Sequence, residues 1–380
     1  MHNAIVIFGW PERLPAALIA ALALAAAYGT GQCFAAPGWA ALILALASAT
    51  DLALLWALPR LGRSFGRIQG PLALFTVGRH ASALLTALLP AGVDIVALLG
   101  VQLLLSGCSL WGHLVAPFRV EIVRVSAPIL RQEPTRPVRL VLLTDLHVER
   151  LTRRERIVLE LVRGLEPDLV LFGGDLLNLS FLEDPRAHAE ARDFLATLLE
   201  RHALRAVLGN PTVEDRRVVP AIWKSLGVTP LEGEAERLEL CGAAVALYGL
   251  GASRDPNEDG ERLAALWERR PAAADEAAVL LYHLPDLADQ LTRLAPGVDL
   301  YLCGHTHGGQ IRLPGIGPLV TASRARRALA SGTHRVPALA HTSRGLGMEG
   351  SGMPRMRFFC RPEVTLLTLT SRQRPRAGGL

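Results

Sequence analysis

A series of polar clusters, each closing an apolar run, carries the chemistry legible in this chain. They are Asp145-Leu146-His147, Gly173-Gly174-Asp175, Gly209-Asn210, His283 in Leu-Leu-Tyr-His-Leu-Pro, and Gly304-His305-Thr306-His307, which continues into Gly308-Gly309-Gln310. Carboxylate, amide and imidazole groups of this kind suit hard or borderline divalent cations and not a soft thiolate site. Together the clusters supply enough ligands for two ions. The five cysteines, at 33, 108, 241, 303 and 360, form no C-x-x-C pair and no disulfide framework.

The elements that must position these groups follow from the apolar runs. Val138 to Leu143, Asp168 to Phe172, Arg205 to Leu208, Val279 to Tyr282 and Val298 to Cys303 each read as a strand ending at one of the clusters. Thr152 and Glu155 form a Thr-x-x-Glu capping box that opens a helix from Arg153 to about Gly164, and Ala187 to His202 reads as a second helix. Arg357 to Cys360 and Val364 to Leu369 read as late strands. Alternating strands and helices give an α/β fold, and continuous apolar strands imply sheets buried on both faces. Ligand sites in such sheets lie at the carboxyl ends of strands, where all the clusters fall.

The chain is unevenly charged. Up to Phe118 it has five arginines (13, 60, 63, 67 and 79) and three acids (Glu12, Asp51 and Asp94). Residues 1–118 therefore read as a transmembrane helical region of three or four spans. Leu14 to about Phe34, Trp39 to Leu58 and Val93 to Val115 are the clearer spans, and Pro71 to Leu89 is weaker because of Arg79 and His80. Asp51, Arg79 and Asp94 read as packing or interfacial residues. Arg60, Arg63 and Arg67 mark the loop after the second span as cytoplasmic. Four spans, the preferred number, return the globular part to the cytoplasm, and three leave it outside. Residues 119–137 read as a linker, 138–370 as the globular domain and 371–380 as a polar tail. The net charge of +5 comes from scattered arginines, with Lys224 the sole lysine, so no nucleic-acid partner is expected.

The ordered set Asp-x-His, Gly-Gly-Asp, Gly-Asn, His and Gly-His-Thr-His resembles the calcineurin-like metallophosphoesterase superfamily. The wording Gly-His-Thr-His-Gly-Gly-Gln-Ile-x-Leu-Pro, with the late Arg-Pro-Glu-Val-Thr-Leu-Leu-Thr-Leu, is similar to its bacterial membrane-associated branch. The resemblance spans roughly Val138 to Thr370. It implies a four-layered α/β/β/α sandwich holding two divalent ions (Mn, Fe, Zn or Co). Carried over residue by residue, Asp145, His147 and His307 hold the first ion, Asn210, His283 and His305 hold the second, and Asp175 bridges both. Asp175, Asn210 and His305 are the implied catalytic residues. The implied reaction is hydrolysis of a phosphodiester or pyrophosphate by a metal-bridging hydroxide.

One motif departs from the family pattern. Gly209-Asn210 is followed by Pro211-Thr212, where most members have His-Asp. Proline cannot transfer a proton, and a positioned general acid is worth about 10²–10⁴-fold. The loss is harmless for a leaving group of low pKa, such as the phosphate side of a pyrophosphate. The alternatives are substitution by another group, with Asp215 and Glu214 close in sequence, and an attenuated metal-binding scaffold or regulatory module. His341 and Arg344, in a Gly-rich loop, are candidate substrate contacts. The expected partners are the membrane itself, the bacterial inner membrane, and a phosphoester, for which a lipid-linked compound is natural given the apolar spans and a soluble phosphodiester is the alternative.

Overall fold

The computed structural model describes residues 10–321, 323–350 and 354–372, so most of the expected polar tail lies outside the described residues. The chain divides into two compact units. One comprises Met1–Pro117 with Glu349–Phe358, and the other Phe118–Met348 with Phe359–Leu380.

The first unit holds four helices, α1 (Ala16–Gly31), α2 (Pro37–Ala57), α3 (Gln69–Thr86) and α4 (Val93–Leu114). Two are long and apolar enough to cross a membrane: α2, and the helical run Val93–Phe118 that includes α4. Each has a mean hydropathy of 1.9. Leu22, Tyr28, Leu46, Leu103 and Leu104 are among the large apolar side chains these helices leave exposed.

One buried ion pair in this unit is made across helices. The Arg79 guanidinium on α3 donates to Asp51 of α2, through Nη2 at 2.7 Å, and to Gln102 Oε1 and Ser106 Oγ of α4, both at 3.0 Å. Asp51 is 2% and Arg79 3% exposed. Removing one member of such a pair leaves an uncompensated buried charge, at about 3–5 kcal/mol. Asp51→Leu is therefore expected to lower the melting temperature of the detergent-purified chain sharply. Adding Arg79→Leu should restore most of it. Equal melting of wild type and the Asp51→Leu variant would refute the pairing.

The second unit is built on two sheets. The first has the order β1 (Glu121–Leu130), β13 (Glu363–Ser371), β2 (Val138–Leu143), β3 (Leu169–Phe172), β4 (Leu204–Ala206). β2, β3 and β4 run parallel, and β13 is antiparallel to β2. The second sheet has the order β11 (Gly332–Arg335), β12 (Leu339–Thr342), β8 (Leu300–Cys303), β7 (Ala277–Tyr282), β6 (Ala243–Leu250), β5 (Glu234–Leu240). Its four central strands, β12, β8, β7 and β6, are parallel.

Leu140, Leu142, Leu169 and Leu171 of the first sheet share one core with Val245, Leu247, Val279, Leu281 and Leu300 of the second. The outer face of the first sheet is covered by α5 (Arg153–Leu165), α6 (Pro185–Leu199) and α7 (Val219–Ser225), through Val158, Phe194 and Trp223. The outer face of the second is covered by α8 (Pro256–Arg269) and the short α9 (Leu291–Leu294), through Leu263, Leu266 and Leu291. The result is the expected α/β/β/α layering. Its strands β3, β6, β7 and β8 are buried on both faces, which is why they read as unbroken apolar runs. The capping box at α5 is formed: Arg154 N donates to Thr152 Oγ1 at 3.1 Å, and Thr152 N to Glu155 Oε2 at 2.7 Å.

Two expectations are corrected. The segment 119–137 contains β1, whose alternation over Val125-Ser126-Ala127-Pro128-Ile129 buries one side, and which pairs parallel with β13 in constant register as far as Pro128. Arg357 to Cys360 forms no strand, and the Arg357 N–H instead donates to Gly112 O at 2.9 Å.

Candidate metal centre

Five strands end at one place. β2 runs out at Asp145-Leu146-His147, β3 at Gly174-Asp175, β4 at Gly209-Asn210, β7 at His283 and β8 at Gly304-His305-Thr306-His307. The loops are tied to each other by backbone bonds. Asp145 N donates to Gly174 O (2.9 Å), His147 N to Asp175 O (3.1 Å) and Gly304 N to His283 O (2.9 Å).

The backbone at the clusters is unusual. Asp145, His147, Asp175, His305 and His307 all have positive φ, between 46° and 68°. For residues other than glycine this costs about 1–2 kcal/mol each. Strain of that kind persists only where the surroundings over-determine it, and it gathers at functional sites. It aims five chemically active side chains inward. No sequence signal announces it beyond the tolerance of Asp and His for this conformation.

The glycines leave room for these side chains. A Cβ on Gly209 would fall 2.1 Å from Asp175 Oδ1, and one on Gly304 would fall 2.3 Å from Asp145 Oδ2.

Two groups of donors result: Asp145, His147 and His307, and Asp175, His283 and His305. Within each, one potential ligand atom per residue lies within 4.8 Å of the others. His147 Nε2 faces His307 Nε2 at 3.0 Å, and His283 Nε2 lies 3.1 Å from Asp175 Oδ2. His147 Nε2 is also 3.7 Å from Asp175 Oδ2, which puts Asp175 between the groups. Two imidazole nitrogens 3.0 Å apart share a proton or a cation. Buried carboxylates with imidazoles at these distances fit divalent first-row ions.

Electrostatics reinforce this. Burial pushes the Asp145 carboxyl up, and nearby Asp175 adds to the shift. Burial acts on Asp175 the same way, but His283, His147 and His305 overcome it and hold this carboxyl well below the usual range. Burial lowers the His283 pKa, yet the adjacent Asp175 carboxylate reverses that and pushes it up to about 10. His283 Nδ1 lies 2.8 Å from Gly173 O, which fixes the ring and leaves Nε2 facing Asp175.

Asn210 reaches the centre through its backbone. Its N–H donates to Asp175 Oδ1 at 2.8 Å. Its Oδ1 accepts from Thr212 N (2.9 Å) and Thr212 Oγ1 (2.6 Å). An amide oxygen has two lone pairs, so binding an ion there means giving up one of these bonds.

Two sequence-derived substrate contacts are corrected. His341 is fully buried, with Nε2 at 2.8 Å from Glu363 Oε1 and Nδ1 at 2.9 Å from Thr333 Oγ1. Arg344 directs Nε to Glu363 Oε2 (2.7 Å) and Nη2 to Glu121 Oε2 (3.2 Å), while its stem packs over Gly308. Both residues hold a loop. Their partners, Glu363 and Glu121, lie far away in sequence.

Glu214 is a positioning residue that sequence reasoning leaves unplaced. It is 1% exposed and accepts Leu176 N at 2.7 Å and Gly209 N at 2.5 Å, so it joins the Asp175 loop to the Asn210 loop. Burial, and then the Asp175 charge, push its carboxyl up to about 7. Glu214→Ala strands two buried donors, at about 1–3 kcal/mol each. The expected result is a Mn²⁺ affinity lowered about 10–100-fold in calorimetric titration. A lower melting temperature with unchanged affinity would reduce Glu214 to a purely structural group.

Comparison with known proteins agrees with this geometry. Residues 138–309 match the family model described as calcineurin-like phosphoesterase. The chain is 30% identical over 268 residues to "Phosphodiesterase YaeI" of Escherichia coli (strain K12), covering 68% of this chain and 91% of that protein. It is 30% identical to the "Uncharacterized metallophosphoesterase YkuE" of Bacillus subtilis (strain 168), covering 54% of this chain and 69% of that one. It is 27% identical to the "Transmembrane protein with metallophosphoesterase domain" of Bos taurus, covering 65% of this chain and 56% of that one. This chain belongs to the calcineurin-like phosphoesterase family and is a metal-dependent phosphoester hydrolase.

Proposed function

We propose that the protein is a membrane-anchored phosphodiesterase or pyrophosphatase working with two divalent ions, Mn, Fe, Zn or Co. Asp145, His147 and His307 would hold one ion, and Asn210, His283 and His305 the other, with Asp175 shared. The observation that carries this reading is the pair of donor groups with Asp175 between them. When bound, such ions lower the pKa of water and offset charge on the phosphoryl group. The chain's own part is to fix the donors on rigid strand ends and to hold His283 by Gly173 O. Asn210 N–H orients Asp175, and Thr144 Oγ1 and His305 N–H do the same for Asp145.

The two membrane-length helices and the relative named as a transmembrane protein support the anchoring, and a cleft near a bilayer makes a lipid-linked phosphoester a natural substrate beside a soluble phosphodiester. With four spans the catalytic unit faces the cytoplasm, on the inner membrane of a bacterium. Its digestion by protease added outside spheroplasts would place it on the other side. The reading is tested with bis(p-nitrophenyl) phosphate and detergent-purified protein. Hydrolysis should vanish after chelator treatment and return with Mn²⁺. Metal binding without turnover of any phosphodiester or pyrophosphate would favour the attenuated scaffold instead.

A further inference from the structure

Large apolar side chains left exposed in the second unit are few. Among the described residues they are Ile316 (61%), Leu319 (52%), Val320 (60%) and Phe359 (64%). The first three belong to a small hairpin, β9 (Arg312–Leu313) and β10 (Gly317–Pro318), that begins three residues after the His307–Gly309 turn. The hairpin is seated against that turn: a Cβ on Gly309 would meet Pro318 at 2.2 Å. Phe359 precedes Cys360, whose Sγ lies 3.1 Å from His307 O. Both apolar points are thus fastened to the loop bearing His305 and His307.

The charges carried by the segment itself have one sign. Between Asp299 and Glu349 the chain has no acidic residue and six arginines, at 312, 324, 326, 327, 335 and 344. Arg324 and Arg326 pair with Asp255 and Asp289 on neighbouring elements. Arg312 instead bonds Gly308 O and Ser331 Oγ, both at 3.0 Å, and Arg327 bonds Pro318 O. Among the described residues, neither these two nor exposed Arg335 has a carboxylate within ion-pair distance. A pocket of about 310 Å³ opens beside the hairpin, lined by Arg312, Ile316, Pro318, Arg327, Ala330 and Ser331, among others.

We infer that this hairpin and pocket form a docking surface for an anionic bilayer: Ile316, Leu319 and Val320 enter the interface, and Arg312 and Arg327 take a lipid phosphate. Apolar tips ringed by arginine bind interfaces by this combination of burial and attraction to anionic lipid. Three or four side chains fall far short of the roughly 20–30 residues a side in a stable protein interface. They suffice for a bilayer to which the chain is already tethered, because the second contact is then intramolecular. The inference rests on the reading that the first unit spans a membrane. It adds that the catalytic unit touches the lipid itself, beside the candidate metal centre.

The test uses the full chain in nanodiscs, in a background of Cys33→Ser, Cys108→Ala and Cys241→Ser, since Cys303 and Cys360 are buried. An environment-sensitive fluorophore is placed at Ile316→Cys or Val320→Cys, with exposed Glu268→Cys on α8 as the control. In phosphatidylglycerol discs, doxyl lipids should quench the labels at 316 and 320 but not at 268. In phosphatidylcholine discs the quenching should fall. Arg327→Gln with Arg335→Gln should weaken it in phosphatidylglycerol, by about fivefold in affinity per arginine. Labels at 316 and 320 quenched no more than at 268 would overturn the proposal. So would a blue shift without quenching, which signals a protein occupant or a second copy. Failure of the chain to enter discs at all would instead refute the membrane reading. Hydrolysis of soluble substrate by the labelled proteins reports separately on the metal centre.

Discussion

Asp175→Asn lowers metal-supported hydrolysis of bis(p-nitrophenyl) phosphate more than about 10³-fold, beyond the 10–100-fold typical of losing an outer partner of a metal ligand. The geometry sets this size. Asp175 Oδ1 accepts Asn210 N–H at 2.8 Å, while Oδ2 lies 3.1 Å from His283 Nε2 and 3.7 Å from His147 Nε2. Asparagine keeps the shape, so the fold is retained, but it presents one acceptor oxygen and one NH₂ where two oxygens are needed. If its oxygen serves Asn210, its NH₂ points at the imidazoles and at the space an ion would fill. The charge is lost as well, and with it the attraction that raises the His283 pKa. The measurements are activity, Mn²⁺ affinity and melting temperature of the variant beside wild type. Activity within tenfold of wild type, with the same metal dependence, would move the reaction centre away from Asp175.

The sequence reveals the candidate ligands because their chemistry and their supports are both local. Asp145, Asp175, His283 and His305 each stand one to three residues beyond an apolar strand whose bounds match the observed elements to within a few residues. β2 spans Val138–Leu143, as read, because a strand buried on both faces has no polar interruption except at Arg139. What escapes the sequence depends on distant partners. Glu214 is an ordinary loop acid until the fold brings Leu176 N and Gly209 N to it. His341 and Arg344 look available in their Gly-rich loop, and only Glu363 and Glu121 reveal them as structural. β5 and β11 are edge strands, and their half-exposed burial gives no continuous apolar run. The left-handed backbone at five candidate ligands is likewise a product of loops pinned to one another.

Pro211→His raises turnover of a phosphodiester with an alkyl leaving group by up to about 10²-fold, while leaving bis(p-nitrophenyl) phosphate nearly unchanged. Pro211 opens a tight turn in which Val213 N and Glu214 N donate to Asn210 O at 2.8 and 2.7 Å. Histidine can adopt the backbone angles of this position, and it adds a proton donor next to Asn210, whose N–H already touches Asp175. Thr212 cannot fill the role, because its hydroxyl is committed to Asn210 Oδ1 at 2.6 Å. Asp215 is engaged with Arg217 at 2.7 Å, a pairing that holds its carboxyl down to about 2 and so keeps it ionised. A carboxylate in that state has no proton to give at neutral pH. Neither Thr212 nor Asp215 therefore offers a departing alkoxide a proton, and Glu214, though its carboxyl is pushed up to about 7, has both oxygens engaged by Leu176 N and Gly209 N. An acidic leaving group such as p-nitrophenolate needs none. Equal gains on both substrates would mean that the new imidazole grips the phosphoryl oxygen instead of protonating the leaving group. No gain on the alkyl ester would show that position 211 is not where an acid is missing. The wild-type ratio between the two substrates then carries the larger consequence. A strong native preference for the acidic leaving group would favour substrates whose departing group is stable as an anion, a pyrophosphate among them, for which proline at 211 is no handicap.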